Sequence, residues 1–506
     1  MNVREDARLT PLSSVERTKL VWSLSLALFW VVFLWGFFTR GVYALGLNAF
    51  LYLGGTTALF LWAMRREGVS LRKNAFWIMP IGLIVLSYLL YDNPFLKTVS
   101  LLVLPSMFAL FYNSAFLTAH DQTRWTGKTV ETLVARSISV LTHIRKSGDL
   151  IERLALRARR NPGVAKRVVT GTLLFLLVAI IVVIPLLSSA DAQFAAAMGF
   201  VNDWLMKLFT TWLFGKILAF FLLAIGLVSA LLAWTRPSAS TTEEPAADRV
   251  DPIVAGIVLG GILALYMLFL WIQVGHLWVG RLPIEFSATE RLVKDGFWQL
   301  LCLTAINILF CFTIYGKTPS AVQRLLFAFV AASFLLLASA GYRMALYVTY
   351  YGFSYEKFFA SYTVVFCAIL LSWLGTKTIT RAKAGLIRFP IVLFLWMYAV
   401  LTVIPVERII LRSNVALSRR EGSQIRLFEL TMLSPDVLGL VRRYQKEGVL
   451  NEKNLYYARE EAVRSGDDTG KGATFDWNPW IMSRSEIVSS KAWYEMNVTN
   501  LITPSR

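Results

Sequence analysis

Glu285, Glu290, Arg291 and Asp295 follow one long apolar stretch, and Arg343, Tyr347, Tyr351, Glu356 and Lys357 follow another. Carboxylates and guanidinium groups gathered at the ends of hydrophobic segments could line a polar cavity or a substrate path. Both stretches run through Gly-Phe, at Gly296-Phe297 and Gly352-Phe353, into the next apolar segment. This gives a weak internal repeat: helix, polar amphipathic segment, Gly-Phe, helix. Glycine there permits a tight bend or a close helix crossing. The candidate polar cluster is therefore Glu285, Glu290, Arg291, Asp295, Arg343, Tyr347 and Tyr351. A plainer reading carries more weight: Arg and Tyr anchor helix ends at a membrane interface, and the acids balance Arg.

Other chemistry finds little support. The chain has no Walker loop, no G-x-S-x-G, no H-E-x-x-H and no cysteine pair at metal spacing. His120, His143 and His276 are scattered, and the turns 39–41 and 92–94 are too short to host an active site. No catalytic, cofactor-binding or metal-binding residue is assigned, and no cofactor is expected. Cys302, Cys311 and Cys367 all fall inside apolar stretches, which suits buried free thiols acting as small apolar residues. Lys97 and Lys216 sit within a turn or two of segment ends, where a cation snorkels to the surface cheaply.

The elements that must position these residues are membrane helices. Of 506 residues 56% are hydrophobic and only 16% charged, and the mean hydropathy is +0.56. Eleven apolar stretches read as spans: 20–38, 42–64, 75–91, 95–117, 168–187, 212–234, 252–273, 296–315, 325–341, 358–375 and 389–406. The first is longer than a signal-peptide core and lacks a small-x-small exit, so it reads as a retained anchor. The fold class is an all-α polytopic membrane protein, with about 11 transmembrane helices and a small helical extracytoplasmic C-terminal region. With the N-terminus inside, the cytoplasmic loops hold twenty-seven Lys or Arg and the opposite loops seven. An odd number of spans then puts the C-terminus outside.

The net charge of +19 resides between apolar stretches, where it meets lipid headgroups; no exposed basic face for nucleic acid is expected. The organisation reads as a four-helix membrane region (1–117), a basic amphipathic cytoplasmic segment (118–167) and two further spans (168–234). A low-complexity linker (235–251), five spans (252–406) and a helical tail (407–506) complete it. The basic segment reads either as an amphipathic helix on the inner headgroups or as a solvated helical hairpin. In the tail, Ser434 before Pro435 fits a helix N-cap with proline at the first position. Gly54-Gly55 and Gly260-Gly261 suit close helix packing.

Several blocks resemble a bacterial family of multi-pass membrane proteins known as a domain of unknown function. They are Leu187-Ser188-Ser189-Ala190-Asp191, Thr289 through Trp298, Ser339-Ala340-Gly341-Tyr342-Arg343, Leu346-Tyr347, Tyr351-Gly352-Phe353-Ser354 and Leu433-Ser434-Pro435-Asp436-Val437. The similarity covers most of the chain from about residue 75. Where the family carries a basic residue before Gly296, this chain has Asp295. The resemblance implies a location in the bacterial cytoplasmic (inner) membrane and this architecture; it implies no substrate, cofactor or catalytic residue.

Polar mass on both sides of a membrane, without a catalytic constellation, points to a non-catalytic sensor, scaffold or accessory subunit of the cell envelope. Membrane lipid, and a protein partner met through the tail, are the expected partners. The alternative is a transporter or flippase with a polar path near the outer ends of helices 7–10. Few ionisable residues lie at mid-bilayer, where such sites usually sit.

Overall fold

The computed structural model describes residues 13–70, 75–115, 125, 127–157, 211–234, 250–276, 286–380, 386–420, 423, 425, 430, 432–450 and 477–502. Among these residues the regular structure is helical and there is no strand. In lipid a helix satisfies its own backbone, which an open sheet cannot do. Seven helices are long and apolar enough to cross a bilayer, or up to nine if each of two bent pairs is one span. The seven are α2 (Leu47–Arg66), α4 (Pro94–Ala115), α7 (Thr211–Trp234), α8 (Pro252–His276), α9 (Phe286–Ile314), α10 (Ser320–Tyr351) and α11 (Tyr355–Thr380). One bent pair is α1 (Ser14–Phe33) with the turns over 37–44, at 44°; the other is α12 (Arg388–Val403) with α13 (Val406–Ser418), at 69°. The apolar α3 (Ala75–Leu90) has 16 residues, about 24 Å of helix, short of a hydrocarbon core of roughly 30 Å. The expected span 168–187 lies outside the described residues.

The chain divides into two compact units. The first holds Met1–Ile78, Phe108–Phe116 and Glu131–Ser238. Its α1 opens with a capping box, Glu16 N–H donating to Ser13 Oγ at 3.1 Å and Ser13 N–H donating to Glu16 Oε2 at 3.0 Å. Helix α1 packs on α2 and α7. A Cβ on Gly55 would meet Leu26 Cδ2 at 2.9 Å, so that glycine does admit a neighbour; Gly54, Gly260 and Gly261 have no such contact among the described residues. In the basic segment, α5 (Gly127–Ile138) leads through a 3-10 turn to α6 (Ile144–Arg157), and α6 packs on α7 with Ser147 Oγ 2.8 Å from Ser229 Oγ. Val134, Ile138, Leu141 and Ile144 stay exposed between its basic residues. Lys216 lies over the Trp35 ring at 5.5 Å.

The second unit holds Met79–Met107, Leu117–Val130 and Ala239–Arg506. Helix α10 is its axis, packing on α8, α9 and α11 around Leu326, Phe329, Leu336, Leu337 and Ala340. Tyr266 Oη donates to Asn307 Oδ1 at 2.6 Å, and Asn307 Nδ2 donates to Ser333 Oγ at 3.0 Å, so polar side chains join three helices inside the core. Ile253, Ile257, Leu265 and Trp271 of α8 point outward, an apolar face that suits lipid and not water. Cys311 and Cys367 are buried free thiols, but Cys302 is exposed. The 3-10 turn Pro435–Val437, α14 (Leu438–Lys446), α15 (Asn478–Ser489) and α16 (Val498–Ile502) form the tail.

The two Gly-Phe pairs are not equivalent, which removes the structural basis of the repeat. Gly296-Phe297 sits inside continuous α9, whereas Gly352, at φ +73°, ends α10. A Cβ at Gly352 would lie 2.7 Å from Asn414 Oδ1. That close approach lets Asn414 bracket the turn: Phe353 N–H donates to Oδ1 at 2.6 Å and Nδ2 donates to the Phe353 carbonyl at 2.8 Å.

Candidate functional site

Of the sequence-derived cluster, the side chains of Arg343, Tyr347 and Tyr351 are described. Glu285 lies outside the described residues, and Glu290, Arg291 and Asp295 fall on the first turns of α9. Arg343 reaches α9 at Gly296, where a Cβ would meet its Nη1 at 2.9 Å, and its Nε finds no hydrogen-bond partner among the described residues. Tyr347 and Tyr351, one turn apart on α10, are buried with ring centroids at 5.2 Å. Lys357 stacks over Tyr347 at 4.4 Å and donates to the Tyr351 carbonyl at 3.4 Å. These tyrosines hold the α10–α11 turn and do not form an interfacial belt.

Among the described residues, a dense polar site of the second unit lies at the short turn 92–94. Asn93 caps α4, its Oδ1 accepting from Leu96 N–H at 2.9 Å, and Pro94 takes the first helical position. Lys97 therefore falls in the first turn of α4, a poor place for a cation beside the positive end of the helix dipole. Asp92 offsets this by accepting from Lys97 Nζ at 2.9 Å. Lys97 is 3% exposed, so it is buried in an ion pair and does not snorkel.

Asp92 is shared with the tail. Its Oδ2 accepts from Nζ of Lys491, just past α15, and Lys491 also donates to Asn500 Oδ1 at 2.9 Å. The backbone N–H of Asp92 donates to Asp436 Oδ2 at 2.6 Å, and Thr499 Oγ1 donates to Asp436 Oδ1. Two residues earlier, Ser434 donates to Glu407 Oε2 through its N–H at 2.9 Å and through its hydroxyl. Tyr355 donates to the other oxygen of Glu407, and Asn93 Nδ2 donates to Tyr355 Oη at 3.4 Å. One buried network thus ties the α3–α4 turn, the start of α11, the start of α13 and three separate points of the tail.

Its electrostatics follow from burial. Three carboxylates (Asp92, Glu407, Asp436) face two ammonium groups (Lys97, Lys491), all buried. For Asp92, burial pushes the carboxyl up, but Lys97 and Lys491 together outweigh it and hold it below the usual range. Burial, with the charge of Asp92, pushes Asp436 up to about 6. Burial lowers Lys491, and Asp92 offsets part of that. The cavity beside Lys97, Glu407 and Asp436 measures about 20 Å³, room for a single water and no metabolite. Among the described residues no group of His, Cys, Asp or Glu is placed to hold a metal. This arrangement can clamp the segments it joins.

The sequence matches DUF4153, a domain of unknown function, over residues 78–444. The chain belongs to the DUF4153 family. No curated protein and no solved structure matches it. The family region contains Asp92, Lys97, Tyr355, Glu407, Ser434 and Asp436, while Lys491, Thr499 and Asn500 come from beyond it.

Sequence reasoning missed this site because it took 92–94 as a mere connection. Asp92 and Lys491 are 399 positions apart, and no periodicity joins them. The available signal was local: an aspartate and a lysine flanking an Asn-Pro helix start, and Ser434-Pro435-Asp436 with an acid inside an N-cap.

Proposed function

We propose that this DUF4153 chain is a non-catalytic scaffold or accessory subunit of the bacterial cytoplasmic membrane, with its helical tail held outside as a docking platform. The observation that carries this reading is Asp92, bridging Lys97 on a membrane helix to Lys491 on the tail. A tail held by a buried ionic network is presented in one orientation, as an interaction surface requires. Met482, Trp493 and Leu501, each 71% exposed, give it apolar contact points of the kind partners use. Pull-down of the full chain in mild detergent is expected to recover a stoichiometric partner that Trp493→Glu releases. No partner, together with no phenotype on deleting 407–506, overturns the reading.

About eleven crossings with the N-terminus inside belong to the same proposal, and a parity argument supports them. The turns at 92–94 and 352–354 share one network, so they lie on one side of the membrane. Five spanning helices of the described residues (α4, α7, α8, α9, α10) separate them, an odd number. A sixth crossing restores parity, and the apolar stretch 168–187 is the segment with the composition for it.

A transporter is the second reading, favoured by one observation: Arg343 packed against Gly296, next to Asp295 in sequence. Arg343→Gln is then expected to abolish flux of a solute; unchanged growth and flux sink that idea.

A further inference from the structure

We infer that an open groove walled by α10, α11 and α13 is a binding site for one phospholipid with an anionic headgroup. The groove measures about 580 Å³ and is lined by Gly341, Ala345 and Val348 of α10, Val364 of α11, and Ala416 and Leu417 of α13, among others. Its polar wall atoms are mostly spent. Thr349 Oγ1 donates to the Ala345 carbonyl and Ser361 Oγ to the Lys357 carbonyl, both at 2.8 Å. A polar solute would therefore lose water along most of the wall without regaining hydrogen bonds, whereas an acyl chain gains apolar contact throughout.

Depth and charge identify the rest of the ligand. Helix α10 has 32 residues, about 48 Å, so its C-terminal turns exceed a core of roughly 30 Å and the groove reaches headgroup level. Helix α13 leaves α12 at 69° and is amphipathic: Glu407, Ile410, Leu411, Asn414 and Val415 face inward, while Ile409, Arg412 and Ala416 are exposed. Such a helix lies in the interface plane. Arg412 lies one turn before the groove residue Ala416 on α13, and Arg420 follows two residues after that helix ends. Both are exposed, and neither has an ion-pair partner among the described residues. Exposed guanidinium groups beside an acyl-sized groove fit a lipid phosphate and favour a headgroup with net negative charge.

The test uses the full chain in nanodiscs containing phosphatidylglycerol with a photoactivatable diazirine in one acyl chain. The expected result is crosslinking concentrated in peptides covering 341–349 and 413–417, at least tenfold over the lipid-facing residues 253–265 of α8. Unlabelled phosphatidylglycerol should compete several-fold better than phosphatidylcholine, and Arg412→Glu should erase that preference. Ala345→Trp, which fills the groove from an exposed position, should remove the concentrated label. Crosslinking spread evenly over α8 and the groove, or equal competition by both lipids, overturns the inference without recourse to any variant. The tail's role as a platform does not enter these outcomes.

Discussion

Removing one member of a buried ion pair strands its partner in a medium that solvates it poorly, typically at a cost of about 3–5 kcal/mol. Lys491→Met should act in this way, because Asp92 is wholly buried and loses one of its two cations. The expected outcome is a lower melting temperature in detergent and faster chymotryptic cleavage within 477–502, whose Trp477, Trp480, Trp493 and Tyr494 the substitution leaves in place. Glu447→Ala is the contrast: the Arg443–Glu447 pair is exposed, and its loss should leave both readouts unchanged. Protons matter at the same place. Asp436 has a folded pKa of about 6 against an ordinary 3.8, so the docked tail holds an extra proton between those values. Docking should therefore weaken as pH rises from about 4 to about 6 and stay level above, as far as Asp436 is concerned. Asp92 acts in the opposite sense: its depressed carboxyl supports docking above the usual carboxylate range, and that support fades as pH falls through its lowered value. Tail proteolysis followed across pH should be slowest in the mildly acidic range for the parent chain. In Asp436→Asn the loss of protection between pH 4 and 6 should shrink, the remainder coming from Glu407, whose carboxyl burial pushes up to about 8.

At the scale of elements, Gly352 is where conformation and packing demand glycine together. An alanine there would occupy a left-handed conformation that disfavours L-residues by roughly 1–2 kcal/mol, and would meet Asn414 Oδ1 at 2.7 Å. Gly352→Ala should lower the melting temperature by several degrees, whereas Gly296→Ala, which presses only on the flexible end of Arg343, should change it little. The comparison also explains what a sequence can disclose here. Continuous apolar runs such as Pro252–His276 are self-contained signals, because length and hydropathy alone suffice to place a helix in lipid. The same Gly-Phe dipeptide lies mid-helix at 296 and at a helix end at 352, since the deciding atom belongs to Asn414, sixty-one positions from Phe353. Lys97 read as a snorkelling cation for the same reason: its partner Asp92 was visible, but the tail that seals both from water was not. Polar residues in this chain are assigned by what closes over them, and closure comes from remote segments.

For the whole molecule, the clamp converts three topological questions into one. The turn at 92–94, the turn at 352–354 and the tail at 434–436 and 491–500 are joined by direct hydrogen bonds, so they must share a face of the membrane. In the proposed threading, which puts the Lys- and Arg-rich loops inside, that face is the outer one. Single cysteines introduced at Ser354 and Ser505 in a background lacking Cys302, Cys311 and Cys367 should therefore both react with an impermeant maleimide applied to intact spheroplasts. A cysteine at Ser240, in the linker, should react only after lysis. Deleting 168–187 supplies the decisive arm. If that stretch crosses the bilayer, its loss reverses the parity between residues 92 and 354, the clamp can no longer close, and the Ser354 label should switch to the lysis-dependent class or the protein should be degraded. If Ser354 and Ser505 stay accessible in intact cells after the deletion, the stretch does not cross, and the eleven-span threading fails with it.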